Sequence, residues 1–309
     1  MLARAIPASE PPWRSPPATT LSASHKEPPV PVTDQPILAD LHAFVQRCPS
    51  LLVLTGAGIS TDSGIPGYRD AHGNWQRTPP VQAQDFFRSH AVRQRYWARS
   101  MLGWPVLANA TPNAAHFALA QLQAAGYVRR LVTQNVDGLH QRAGSTGVIE
   151  LHGHVGSVIC LQCGTRRPRA SLQAQLETDN PELAELRALP ASDGDAHLEL
   201  ASFEAVRIPA CGHCGGVLKP DVVFFGESVP RERVDAAMQA LESSDALLVI
   251  GSSLTVFSGY RFCLAAGKLG KPVAAINLGQ TRADGLLALK ADVSCAAALV
   301  DLAGRLGVG

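Results

Sequence analysis

Residues 51–70 read LLVLTGAGISTDSGIPGYRD, and this stretch decides the fold class. Leu51-Leu52-Val53-Leu54 is a continuous apolar run, the pattern of a strand covered on both faces. It breaks at Gly56-Ala57-Gly58, where missing side chains allow a tight turn and let a phosphate approach backbone N–H groups. Ser60-Thr61-Asp62-Ser63 follows, with Gly64, Pro66 and Gly67 as further breakers. A buried strand feeding a glycine turn is how α/β folds hold nucleotides. The dinucleotide pattern G-x-G-x-x-G would need glycine at position 61, which is Thr61, so the motif is imperfect. A plain strand-to-helix turn that binds nothing explains the stretch equally well in isolation.

Outward from it, strands and helices alternate. Leu38, Leu41, Phe44 and Val45 predict a helix before the key strand, and residues 84–101 predict a longer one. Thr111-Pro112 predicts a helix start, with the helix running through Phe117, Leu119 and Leu122 to Gly126. Strands are expected at 131–133, 148–151, 246–250 and 273–276, with a last one near Val293 leading into a helix from about Ala296. Pro230 opens a helix through Val234, Met238 and Leu241. Polar or glycine clusters follow the strands: Gln134-Asn135-Val136-Asp137-Gly138, His152-Gly153-His154, Gly251-Ser252-Ser253 and Asn277-Leu278-Gly279. The expected fold is α/β, a Rossmann-like parallel sheet with helices on both faces and ligand groups at its carboxyl edge.

Cysteine arithmetic adds a second, smaller domain. Of seven cysteines, Cys160, Cys163, Cys211 and Cys214 form two C-x-x-C knuckles, while Cys48, Cys263 and Cys295 stand alone. Two knuckles close a tetrahedral Cys₄ site for structural Zn2+, with no open position for catalysis. His213 could replace a cysteine but is not needed. Arg166, Arg167 and Arg169 near the first knuckle read as a solvated charged face. The domain expectation is 35–154 with 219–309 for the nucleotide domain and 155–218 for a zinc-ribbon-containing domain. Residues 1–34, rich in Pro, Ser, Ala and Thr, are expected to form a disordered tail.

The bulk numbers exclude some functions. Twenty-seven basic against 26 acidic residues give a net charge of +1, so no nucleic acid or anionic membrane partner is expected. No apolar run is long enough to span a bilayer. An odd cysteine count fits a reducing compartment, and the expected location is cytoplasmic. The acid-poor start of the tail leaves the mitochondrial matrix as the alternative, although its prolines oppose a targeting helix. Oligomeric state is not legible.

Two further groups carry chemistry. His152, beside Gly153 at a strand end, is placed to act as a general base, although a core or capping role is commoner for a single histidine. Asn135 and Asp137 are also ordinary turn formers. Arg69 suits either a phosphate or the surface.

Taken together, GAGIS, GIP, Tyr68-Arg69, TQNVDGLHQRAG, ELHG and LKPDVVFFGE resemble the sirtuin family of NAD-dependent protein deacylases, from about Leu38 to the C-terminus. YWAR (96–99), GWP (103–105) and 218–227 look most like its class II branch. The resemblance implies NAD pyrophosphate at Gly56, Ala57, Gly58, Ile59 and Arg69, and Tyr68 over the nicotinamide ribose. It implies ribose and carboxamide contacts from Gln134, Asn135 and Asp137. Adenosine would lie along Gly251, Ser252, Ser253, Asn277, Leu278 and Gly279, with adenine at Cys295. Catalysis would fall to His152 with Asn135 and Asp137. Val223, Phe224 and Phe225 would line an acyl-lysine channel, and Gly226-Glu227 would pair with substrate backbone. The implied reaction releases nicotinamide, moves the acyl group to ADP-ribose through ribose hydroxyls activated by His152, and frees lysine on an acylated protein partner. Mono-ADP-ribosyl transfer, lipoyl-lysine removal and a non-catalytic NAD-binding module are the alternatives. The family's usual Asp before the aromatic is Gly67 here, which loosens that loop. Tyr96 and Arg99 resemble a pair that binds acidic acyl groups, or are plain core and surface residues.

Overall fold

The computed structural model describes residues 35–67, 80–186, 189–190, 196–198 and 202–308. The tail expectation for 1–34 and the assignments to Tyr68 and Arg69 lie outside the described residues.

The strands in chain order are β1 (Leu51–Thr55), β2 (Val128–Thr133), β3 (Ile149–Glu150), β4 (Gly153–Cys160), β5 (Arg166–Pro168), β6 (Leu189–Pro190), β7 (Ala196–His197), β8 (Leu218–Val222), β9 (Ala246–Ile250), β10 (Val273–Ile276) and β11 (Leu289–Ala291). Six of them form one sheet in the order β11-β10-β9-β1-β2-β3, all parallel. Alternate side chains of β1 serve opposite faces. Leu51 and Val53 pack with the helices Gln35–Arg47, Ala114–Ala124 and Cys295–Arg305, and Leu52 and Leu54 with Arg231–Glu242 and Phe257–Lys268. All four are fully buried, and each such side chain contributes about 1.5–3 kcal/mol of hydrophobic stabilisation.

The topology fixes where a ligand can sit. From β1 the chain builds outward through β2 and β3, then returns to place β9, β10 and β11 on the other side. The order therefore reverses between β1 and β9, and the crevice beyond their carboxyl ends is the natural ligand site of such a sheet.

A second sheet, β5-β4-β8, is antiparallel, and β6 pairs with β7. Its core joins Val158, Leu172, Leu176 and Leu218 to Phe86, Tyr96, Trp97 and Met101.

Several expectations need correction. The helix over 84–101 is two helices, Ala83–Arg88 and His90–Asn109, because Ser89 leaves helical geometry and its Oγ accepts from Val92 N–H at 3.2 Å. The helix after Pro112 is capped by Asn113 in a reciprocal arrangement with His116, not by Thr111. The last strand is Leu289–Ala291 and stops short of Val293. Arg169 is not on a solvated face: it is completely buried, with its guanidinium 5.4 Å from the Trp97 ring and 5.0 Å from the Trp104 ring, and it donates to Ser100. A planar, weakly hydrated cation stacks on indoles where a lysine would not. Arg166 keeps the exposed role, paired with Asp221 at 2.7 Å.

Candidate active site

The turns after β1 and β9 interlock. Gly56 N–H donates to Ile250 O at 3.0 Å and Gly58 N–H to Gly251 O at 2.8 Å. A Cβ on Gly56 would come within 2.7 Å of Ser252 Cβ, one on Gly58 within 2.9 Å of Gly251 Cα, and one on Gly251 (φ +60°) would strike Ile59 N. These glycines are thus required for two backbones to meet. This corrects part of the reading from sequence: the N–H groups of Gly56 and Gly58 serve the neighbouring turn. Residues Ala57–Ser63 then form a short 3₁₀ helix. Downstream, Leu254 holds a positive φ of 56°, a strained conformation for a branched residue and one found chiefly at functional sites.

The turn after β2 is tied to both neighbours. Gln134 Nε2 donates to Ser252 Oγ at 2.9 Å, and Asn135 Nδ2 donates to Gly56 O and Ser60 Oγ, each at 3.1 Å. Ser60 Oγ donates to Asp137 Oδ2 at 2.8 Å, and Leu139 N–H donates to Oδ1 at 2.9 Å. The Asp137 carboxylate therefore holds its own loop. Beneath lies a buried polar stack. Thr55 Oγ1 donates to Thr133 Oγ1 and accepts from His140 Nε2, each at 2.9 Å, while the His140 and His116 rings lie 4.9 Å apart. Burial pushes His116 down to about 4 and His140 down to about 3.

His152 follows β3 with its ring fixed at both ends. Nδ1 is 2.8 Å from Gln134 O, and Nε2 is 2.8 Å from Ser258 Oγ. A carbonyl only accepts, so Nδ1 carries the proton and Nε2 of the neutral ring carries the lone pair. Burial lowers the pKa of His152 from its ordinary value; the Gln134 carbonyl opposes this, and Arg233 and Arg261 add to it. The result is a neutral imidazole on the wall of a cleft of about 780 Å³, its basic nitrogen bonded to the Ser258 hydroxyl.

This cleft is lined by Gly56, Ala57 and Gly58 and by Ser252, Ser253, Asn277, Leu278 and Cys295. Val223, Phe224, Phe225, Gly226, Glu227 and Tyr96 line it as well. Three residues expected at the site are absent from this wall. Ile59 is buried in the core at 1% exposure, Asp137 faces Ser60, and Gly279 N–H donates to Asp292 at 2.9 Å. Glu227 also turns inward: Oε2 accepts from Phe224 N–H at 2.7 Å and pairs with Lys219 Nζ at 2.9 Å. Lys219 is itself buried, donates to Val222 O, and lies 4.6 Å from the Phe224 ring.

The four knuckle cysteines converge. Their Sγ atoms all lie within 4.8 Å of one another, with Cys160–Cys214 at 3.5 Å and Cys163–Cys211 at 3.8 Å. Four sulfurs at Zn–S bonds of about 2.3 Å stand about 3.8 Å apart at tetrahedral angles, so the donor set fits Zn2+. His213 is exposed and His154 accepts from Gly156 N–H at 2.8 Å, so neither is needed as a ligand.

Residues 56–258 match the model of the Sir2 family. The chain belongs to the Sir2 family. It is 56% identical over 262 residues to an NAD-dependent protein deacetylase of Xanthomonas campestris pv. campestris, covering 85% of this chain and 89% of that one. It is 47% identical over 272 residues to the mitochondrial NAD-dependent protein lipoamidase sirtuin-4 of Bos taurus, covering 87% and 86%. A solved Sir2 complex with a p53 peptide and NAD+ superposes with a TM-score of 0.70 at 29% identity, covering 88% of this chain and 99% of that one.

For this sirtuin, sequence reasoning missed part of the cleft wall: Thr61, Asp62, Val256, Phe257, Ser258 and Arg261. The last four open the helix Phe257–Lys268. Its buried stripe begins with Ser258 and Gly259, which give no apolar periodicity to detect. Tyr96 lines the cleft, and Arg99, one turn on, is not on the described wall.

Proposed function

We propose that this sirtuin removes acyl groups, acetyl first, from protein lysines in an NAD-dependent reaction. NAD supplies the electrophilic ribose carbon that takes the acyl oxygen, and one water is consumed as the amide C–N bond breaks, so the products are nicotinamide, O-acyl-ADP-ribose and free lysine. The cleft suits the dinucleotide: its glycine turn admits no side chain, Gln134 is already bonded to Ser252, and Asn135 is bonded to Gly56 O and Ser60. Such preorganisation saves ordering cost on binding. Val223–Glu227 and Tyr96 form the apolar side, where the stem of an acylated lysine is shielded from water. Zn2+ holds the small sheet together and has no open position for chemistry.

The observation that carries the reading is the state of His152. Its protonated nitrogen is held by Gln134 O, and the residue lines the same cleft as the glycine turns and the Val223–Glu227 segment. A neutral imidazole so held can draw a proton from a hydroxyl, help worth about 10²–10⁴ in rate.

The test is nicotinamide release from NAD with and without an acetyl-lysine peptide, with products followed by mass spectrometry. Peptide-dependent release with O-acyl-ADP-ribose is expected, and His152→Tyr is expected to stop turnover while leaving the chain folded. Release only with an intact acceptor protein would favour ADP-ribosyl transfer. The bovine relative's printed activity supports one second reading, lipoyl-lysine removal, which a lipoyl peptide in the same assay checks.

A further inference from the structure

Ser258 has no part in the roles assigned so far, yet its hydroxyl is the group nearest the working nitrogen of His152. It is 8% exposed, and among the described residues its side chain has one hydrogen-bond partner, His152 Nε2 at 2.8 Å. Gln134 O holds the other end of the ring at 2.8 Å, so the imidazole is gripped at both nitrogens. Two anchors fix the ring plane where one would leave it free to swing.

The element that carries Ser258 has a matching electrostatic character. The helix Phe257–Lys268 begins one residue earlier, so its positive end faces the ring. Arg261 lies one turn further and lines the same cleft. Its guanidinium is 5.2 Å from the Phe257 ring, and its Nε is buried with no hydrogen-bond partner. Arg233, from the helix Arg231–Glu242, adds positive charge from another direction. Every charged group acting on the ring disfavours its charged form.

We propose that Ser258 is a positioning residue for the general base, its hydroxyl holding the His152 ring plane at the cleft wall until a substrate hydroxyl takes its place at Nε2. This rests on the deacylase reading. Neutral Nε2 has one in-plane lone pair, so the Ser258 hydroxyl donates to it in the free protein, rotates away as the reacting hydroxyl takes that position, and accepts from Nε2–H once the proton has arrived. The ring plane is thus set before substrate arrives and held again once the ring is charged.

The experiment compares wild type, Ser258→Ala and Ser258→Thr. The first readout is the ¹⁵N spectrum of histidine-labelled free protein at a pH where the ring is neutral. Ser258→Ala should move the His152 Nε2 resonance toward that of an unbonded pyridine-type nitrogen, and Ser258→Thr should return it. The second readout is kinetic. With an acetyl-lysine peptide, Ser258→Ala should lower kcat about three- to tenfold, the range a lost hydrogen bond gives. Peptide KM and nicotinamide–NAD exchange, which precede the base's step, should stay unchanged, and threonine should restore kcat. An unmoved Nε2 resonance, an undiminished kcat, or an equal fall in exchange and deacylation would each overturn the proposal. If wild type itself showed no deacylation, the functional reading would fall, while the spectrum would still report whether Ser258 holds the ring.

Discussion

The buried pair His116–His140 makes the folded chain sensitive to mild acid in a way that can be worked out. Both side chains are at most 1% exposed, and burial holds them neutral down to about 4 and about 3 respectively. In the unfolded chain each titrates near 6.5. Below that value the unfolded state binds more protons than the folded state, so unfolding free energy falls as pH falls. The window opens near pH 6.5 and closes near 4 for His116 and near 3 for His140. Between pH 7.5 and pH 5 each histidine should cost about 2 kcal/mol, about 4 kcal/mol for the pair. That is a large share of the roughly 5–15 kcal/mol that holds a domain folded. The assay is urea unfolding at pH 7.5, 6.5, 5.5 and 5 in zinc-replete buffer. Other groups also contribute to the wild-type slope, so the informative quantity is the difference made by His116→Gln or His140→Gln. Each variant should be less stable at pH 7.5 but lose about 2 kcal/mol less on going to pH 5. A variant with the full wild-type pH dependence would refute the reasoning, because the histidine concerned would then titrate alike in both states.

Lys219→Met should destabilise by about 3 kcal/mol, since it leaves the Glu227 carboxylate half-buried without its cation. It should also raise peptide KM more than NAD KM, which urea melts and steady-state titrations together check. Stripping the metal with a chelator should release one Zn2+ per chain and lower the melting temperature sharply, and zinc should restore it; finger-type sites contribute about 10–16 kcal/mol. Purified protein without zinc would contradict the assignment. Succinyl- and glutaryl-lysine peptides should not outcompete acetyl-lysine, because Tyr96 is 4% exposed among Phe86, Trp97 and Phe224 while Arg99 is off the described cleft wall. An acidic-acyl preference that Arg99→Met abolishes would overturn that expectation.

What was legible in the sequence follows from how strongly each signal is encoded. Strands 246–250 and 273–276 were read to the residue, because strands buried on both faces are uninterrupted apolar runs. The cysteine cluster was readable because knuckle spacing leaves little conformational choice. The break at Ser89 was hidden inside a run that is helical on either side of it. Arg169 was misread because charge predicts solvent unless aromatic partners from elsewhere in the chain are known, and Trp97 and Trp104 are over sixty residues away in sequence. Ser258 and Arg261 were missed for a related reason. Nothing local distinguishes a serine that caps solvent from one that meets a histidine 106 residues away.

The chain crosses from the large sheet to the small one, and comes back, at a single seam. Gly153 of β4 pairs with Val222 of β8, and Val223 N–H donates to His152 O at 2.8 Å. The residue proposed to draw the proton and the segment proposed to flank the lysine stem are therefore stapled to each other, at the axle about which one sheet would tilt against the other. Points on an axle travel least. Swinging the zinc-bound end would widen or narrow the mouth of the cleft while the spacing between base and stem stayed constant, so opening for substrate and alignment for chemistry need not compete.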